Sequence, residues 1–307
     1  MAGEMKQIYG GQAVVEGVMF GGREYTVTAI RRKDASIEFY RVPRTQHPIL
    51  EVLKRIPFLR GIAAILYASA TGSKHLQFAS ERYDVDPGDD AALAAKKEKE
   101  TPKAAMVLGV AALGVLSFLF GKILFSAIPA LLAALARPVF ASDAAQIVLE
   151  SFIKLVLLLS YIYFVSLTPL IKRVFQYHGA EHKVINAYES NAPLTVEHVQ
   201  QQTRLHYRCG SSFILFTVIV GMFIYFLVPT EPLWLRVGSR ILLIPIVLGI
   251  SFEVLQMTNL VRNVPMLRWL GYPGLWLQLL TTKEPTDEQV EVAISSFQEL
   301  LRLERNE

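Results

Sequence analysis

The chain has 307 residues, 52% hydrophobic and 19% charged, against about 25% charged in a typical soluble domain. The deficit is confined to residues 104–257, so the composition excludes a wholly soluble protein and points to several membrane spans. The net charge is +4 and there is one cysteine, Cys209, which excludes an internal disulfide. Basic residues cluster beside apolar runs (Lys172, Arg173, Arg204, Arg208, Arg262). That placement suits membrane topology and anionic lipid, with no nucleic acid partner.

The N-terminal stretch "MAGEMKQIYGGQ" has no apolar h-region, so no signal peptide is expected. Residues 1–55 read as a small cytosolic antiparallel β-module. Val27 and Ala29, then Ile37 and Phe39, recur at period two, with breaks at Gly21-Gly22 and at Lys33 to Ser36. The glycines of "GGQAVVEGVMFGG" match no nucleotide-binding loop; they read as turns and close packing, or as a loop covering a site.

Residues 56–103 are expected to hold an interfacial helix, too short and too interrupted by Arg60 to span, and then a charged linker. Residues 104–258 form the expected transmembrane domain of about four helices: Ala104–Phe120, Ile147–Ile171, Ser212–Val228 and Ile241–Met257. Each is near the ~20 residues that cross the hydrocarbon. The stretch after Lys122, which carries Pro129, is either a continuation or a fifth span. Glu150 and Lys154 are four apart inside the second span and are expected to pair. The basic loop from Lys172 to Arg208 places itself and both termini in the cytosol of a cell-membrane protein. Residues 259–307 add an interfacial segment with Trp276 and an amphipathic helix. That helix opens with Thr286 and Gln289 at capping-box spacing and carries a stripe of Val290, Ala293, Ile294, Phe297, Leu300 and Leu301. The fold class is thus mainly α: a multi-pass bundle, an N-terminal β-module and a C-terminal amphipathic helix.

The segment "YHGAEHKVINAYE" carries the chemistry. On a helix, His178 and His182 lie one turn apart on one face and can share one divalent ion such as zinc. Glu181 beside them is placed as a general base, in the order H-x-x-E-H of the inverted zinc hydrolases. The competing reading is an ordinary polar helix whose histidines bind backbone groups. A third ligand must come from elsewhere. Glu253, an acid inside the fourth span, is the first candidate; His206 is the rival and Glu16 the third choice. Cys209 reads as a structural thiol.

"GGQAVVEGVMFGG", "IPFLRGIAAI", "HGAEHKVINAYE", "RLHYRCGSSFILFT", "GISFEVLQ" and "YPGLWLQLLTTKEP" together resemble the YqhQ family of bacterial membrane proteins, Bacillus-type, over nearly the whole chain. The resemblance implies an integral membrane protein carrying a domain of unknown function, described as a predicted metal-dependent enzyme. Two functions follow as expectations. The first is a metal-dependent hydrolase acting on a lipid or membrane-embedded peptide at the cytosolic face. The second is a non-enzymatic transporter, channel or partner-binding scaffold.

Overall fold

The computed structural model describes residues 9–44, 52–53, 55–89, 121 and 123–305. The expected first span, Ala104–Phe120, and most of the charged linker lie outside them. Four strands form one antiparallel sheet in sequential order: β1 Gly10–Val14, β2 Gly17–Gly21, β3 Tyr25–Arg31 and β4 Ile37–Pro43. The apolar run Ala13–Phe20 hides a two-residue hairpin. Glu16 takes a positive φ of 53° there, and no glycine or asparagine marks the turn as such hairpins usually require.

The helices are α1 Leu59–Arg82, α2 Ile128–Leu135 (preceded by a π turn, Ile123–Ala127), α3 Asp143–Ser166, α4 Pro169–Glu189 and α5 Val196–Gln200. Then come α6 Ser212–Tyr225, α7 Leu233–Leu242, α8 Ile244–Leu260, α9 Tyr272–Thr281 and α10 Asp287–Glu304. The α10 capping box forms as its sequence predicts. The apolar stripe of α10 is the face it buries. Phe297 and Leu300 pack with Val18, Phe20, Val27 and Ala29 of the sheet and with Tyr177, Ala180 and Val184 of α4. Because strand side chains alternate, the opposite face presents Val14 and Ile30 to Ala79 of α1. The sheet is therefore the middle layer between α4 with α10 on one side and α1 on the other.

His75 of α1 reaches Thr28 through Nδ1 at 2.7 Å, while its buried Nε2 has no partner. Burial, and then the Lys74 charge, hold its pKa down to about 4. A histidine depressed from about 6.5 contributes stability that is complete above pH ~6.5 and is lost as pH falls toward 4. His75→Gln should therefore remove a component of the melting temperature that falls as pH falls across that window, read as the difference between the wild-type and variant profiles, because the raised carboxyl of Glu181 titrates there with the opposite sign. Glu299, held down to about 2 by Arg302 and Arg41, acts only at lower pH, from about 4.5 downward. An unchanged slope in the variant would remove His75 from the account.

The helical half differs from the expected four-helix set. Among the described residues, α3 alone is long and apolar enough to cross a membrane, and α7 with α8 would be a second if that pair, bent by 51°, is one span. α6 has 14 residues, about 21 Å at 1.5 Å per residue, short of a ~30 Å hydrocarbon layer. In α3 only 22% of the most apolar stretch is buried. Its exposed residues include Val148, Phe152 and Val156, spaced at four along one face.

The charged residues of these helices also pair differently from expectation. Glu150 meets Arg236 and Arg240 of α7, at 2.8 and 3.2 Å, rather than Lys154. Lys154 sits 5.4 Å from the Tyr225 ring centroid. A carboxylate can satisfy two guanidiniums that approach from another helix, which an i, i+4 lysine on its own helix cannot match.

Candidate metal centre

α4 begins with Pro169 in its first turn, where a missing N–H costs nothing. From Tyr177 to Ile185 it is buried almost continuously. His178 and His182 lie on one face with ring centroids 4.5 Å apart. Each imidazole is held by a backbone carbonyl through Nδ1: His178 by Thr281 O at 2.8 Å and His182 by Arg204 O at 2.6 Å. A carbonyl only accepts, so both Nδ1 atoms carry the proton and both Nε2 lone pairs are free to bind. This is the outer-sphere arrangement that fixes metal-ligating histidines.

The third member of the cluster is Cys209. Its Sγ lies 3.2 Å from His178 Nε2, and ligand atoms of His178, His182 and Cys209 all fall within 4.8 Å of one another. These three could hold a metal ion. Two imidazoles and a thiolate suit zinc or a similar borderline ion. Cys209 is 5% exposed and His182 1%, while His178 is half-buried and forms the open side.

The residues expected to supply a third ligand have other neighbours. The Glu253 carboxylate is taken by Arg60, whose Nε lies 2.7 Å away, and by the Phe58 N–H at 3.0 Å. The His206 ring lies 5.7 Å from that of His182 by centroid, tilted by 43°, and its Nε2 faces Glu189 at 3.7 Å. That is too long for a hydrogen bond. Burial lowers the His206 pKa. Glu16 binds Arg173 at 2.5 Å and receives the Tyr177 hydroxyl at 3.2 Å, tying the β1–β2 turn to α4.

The loop bearing Cys209 is held by side chains that have no chemical signature in sequence. Gln278 takes the His206 N–H and donates to His206 O, both at 2.8 Å. Asn186 donates to Thr203 O at 2.7 Å, and Arg204 donates to Thr282 O at 2.7 Å. The clue available in sequence was the density of polar residues in "RLHYRCGSS", just ahead of an apolar helix.

Glu181 is 5% exposed and faces β1. Burial pushes its pKa up to about 7, opposed by the His178 charge and by the Gly11 N–H. Gly11 has to be glycine: a Cβ there would stand 2.7 Å from Met19 O and 2.9 Å from Glu181 Cγ. Part of the glycine-rich stretch therefore covers the site. Gly179 is the second close approach, since a Cβ would fall 2.1 Å from Lys283 O. Lys283 N donates to Phe175 O at 2.8 Å, which keeps Thr281 O, two residues earlier, within reach of His178.

Gly179→Ala should cost about 1–3 kcal/mol as an overpacked contact and should lower the melting temperature by several degrees. Gly238→Ala, whose added Cβ meets nothing within 4 Å, is the control. Equal melting temperatures for the two variants would contradict this packing.

The fold and site define a mainly helical protein in which an N-terminal sheet edge covers a buried His–His–Cys cluster. The chain belongs to the DUF1385 family, described as a protein of unknown function, whose sequence model matches residues 56–303. It is 68% identical over 296 residues to a Bacillus subtilis (strain 168) relative, "Uncharacterized protein YqhQ", covering 96% of this chain and 93% of the relative. No solved structure matches it.

Proposed function

We propose that this is a multi-pass cell-membrane protein with both termini in the cytosol, and a metal-dependent hydrolase acting on a lipid or membrane-embedded peptide at the cytosolic face. The observation that carries the reading is the convergence of His178, His182 and Cys209 with both Nδ1 atoms tied to backbone carbonyls. A divalent ion bound there would lower the pKa of water and polarise an ester, phosphoryl or amide oxygen. The chain's own residues do the rest. His178 and His182 keep fixed tautomers. The cover of β1 excludes bulk water. Glu181 takes a proton from the attacking water and delivers it to the leaving group. Support for the bilayer comes from α3, largely unburied and apolar over 24 residues, and from the basic loop on the α4 side.

The test is turnover of anionic lipids and hydrophobic peptides by the full chain in detergent. Glu181→Gln should lower it by about 10²–10⁴ while metal content is kept. Full activity in that variant would end the general-base role. A cysteine placed near Pro232 should react with an impermeant reagent in intact cells, and one near Glu189 should not; the reverse would overturn the topology.

One contact favours a second reading. Cys209 Sγ is 3.2 Å from His178 Nε2, and Thr281 O orients that ring. A nucleophilic thiol activated by a histidine uses this geometry. In that case the protein would carry no metal, and alkylation of Cys209 would abolish acyl transfer. The transporter reading draws no support from Glu253, which pairs with Arg60 apart from the Glu150 cluster.

A further inference from the structure

The two edges of the sheet are unlike. β4 carries Glu38, Arg41 and Pro43, the charges and proline that keep an edge from pairing with another chain. β1, with the sequence GGQAV, carries no charge and no proline. Its register fixes what the outer side offers. Val14 and Gly17 close the two-residue hairpin as a hydrogen-bonded pair, and Glu16 O, one residue before Gly17, accepts instead from Arg31 N of β3. By the alternation of an antiparallel ladder, Gly10, Gln12 and Val14 turn their N–H and C=O groups to β2, while Gly11 and Ala13 turn theirs away from the sheet. The Gly11 N–H faces Glu181. The Gly11 C=O and both main-chain groups of Ala13 have no hydrogen bond among the described residues.

This edge is reachable, and it runs into the candidate site. Gly10 and Gln12 are exposed, and Gly11 and Ala13 partly so. Both faces of the strand are occupied, Ala13 packing on the α4 and α10 side and Val14 against α1. The direction left open is the plane of the sheet, where a further strand would lie. Glu181, which meets Gly11, precedes His182 on α4, and the His178 charge acts on its carboxyl. Gly10 adds an independent sign. A Cβ there would meet nothing within 4 Å, and its φ is not positive, so neither packing nor backbone conformation calls for glycine. A strand glycine of this kind marks a place where another backbone comes close.

We propose that β1 is a docking strand, and that an extended polypeptide segment adds to its open edge. The segment's main chain pairs with the Gly11 C=O and with the N–H and C=O of Ala13. An extended peptide offers matching groups along its whole length and an acyl tail offers none, so the substrate class narrows to polypeptide. At Gly11 the Glu181 carboxyl takes the place of a strand partner, and the peptide bond passing there is the one brought beside Glu181 and the His–His–Cys cluster. Docking follows from the geometry of β1 alone; cleavage rests on the hydrolase reading given above. In that reaction the oxygen of water bonds to the carbonyl carbon, the C–N bond breaks, and Glu181 carries a proton from that water to the leaving nitrogen, giving a carboxylic acid and an amine.

The experiment uses the full chain in nonionic detergent, as Glu181→Gln so that bound peptide is not turned over. One probe is the blocked, labelled peptide Lys-Thr-Val-Ala-Val-Thr-Lys at millimolar concentration, extended by its β-branched residues. The second is the same peptide N-methylated throughout, which keeps the side chains and lacks every N–H. The third is phosphatidylglycerol. Anisotropy reads affinity, and hydrogen exchange with mass spectrometry reads the β1 amides. The parent peptide should bind and slow exchange in β1. Its N-methylated form should bind at least about tenfold more weakly, the scale of one or two lost main-chain hydrogen bonds, and phosphatidylglycerol should leave the exchange unchanged. Ala13→Pro removes an outward N–H that the sheet does not use, a position where an edge strand accepts proline. It should melt as its parent does and weaken the peptide at least about tenfold; if it fails to fold, the N-methylated peptide decides alone. Equal binding of the two peptides would overturn the proposal. So would protection of β1 by phosphatidylglycerol, or protection that rises with protein concentration when no peptide is present, the mark of a second copy on the edge. The wild-type chain separates the two readings. Docking without cleavage keeps the edge and ends the hydrolase reading, whereas lipid turnover without peptide docking keeps the hydrolase and ends the docking strand.

Discussion

The full chain purified in detergent is expected to carry about one divalent ion, and Cys209→Ser, His178→Ala and His182→Ala are each expected to lose it. The reason is geometric. A tetrahedral ion bound by three protein donors keeps one open position, and removing a donor leaves two, too few to compete with solvent and chelators. Outer-sphere changes should be milder. Gln278→Leu frees the loop that carries Cys209 and should weaken metal affinity by about 10–100-fold, the range seen when a supporting hydrogen bond is removed. Glu253→Gln and His206→Gln should keep the ion, since Arg60 occupies the first and Nε2 of the second faces Glu189. Elemental analysis after dialysis against a mild chelator checks the series. A metal-free wild type, with thiol alkylation abolishing activity, would select the Cys209–His178 nucleophile. A Cys209→Ser protein with its full metal content would end the present assignment of the third donor.

The contrast between Cys209 and Glu253 shows what could be read from sequence. His178 and His182 were legible because helical spacing alone puts them on one face, and the α10 capping box and stripe were legible for the same local reason. Glu253 looked like a ligand because an acid inside an apolar helix needs a partner. That logic was sound, but its partner is Arg60, 193 residues away, and nothing local distinguishes an arginine from a metal. Cys209 was passed over because its position depends on hydrogen bonds from Gln278, Asn186 and Arg204 to main-chain atoms, a set with no spacing rule. The Glu16 turn was hidden in an apolar run because its conformation is fixed by tertiary contacts, from Arg173 and from the Arg31 N–H at 2.8 Å, rather than by a turn-forming residue.

Glu150→Gln is expected to be the most destabilising single substitution in the helical half. The amide keeps the shape of the carboxylate but not its charge, so the buried guanidiniums of Arg236 and Arg240 are left facing each other. Removing one member of a buried, hydrogen-bonded charge cluster costs about 3–5 kcal/mol, most of it the penalty of the charges left behind. In a chain of this size that lowers the melting temperature by on the order of 10 °C. Glu253→Gln provides the scale for comparison. Its partner Arg60 is 37% exposed, and a pair open to solvent contributes about 0–1 kcal/mol. Lys154→Met tests the expectation that sequence spacing suggested. Were Glu150 paired to Lys154, the two substitutions would be equally damaging; with Glu150 held by α7 instead, Lys154→Met should cost less than Glu150→Gln. The triple change Glu150→Leu/Arg236→Leu/Arg240→Leu should recover much of the loss, because apolar replacement of a whole buried charge group removes the desolvation penalty along with the attraction. Thermal unfolding in one detergent at fixed lipid content measures all four. If Glu150→Gln melts within a degree or two of Glu253→Gln, the cluster is hydrated and the α3–α7 contact is not held by buried charge.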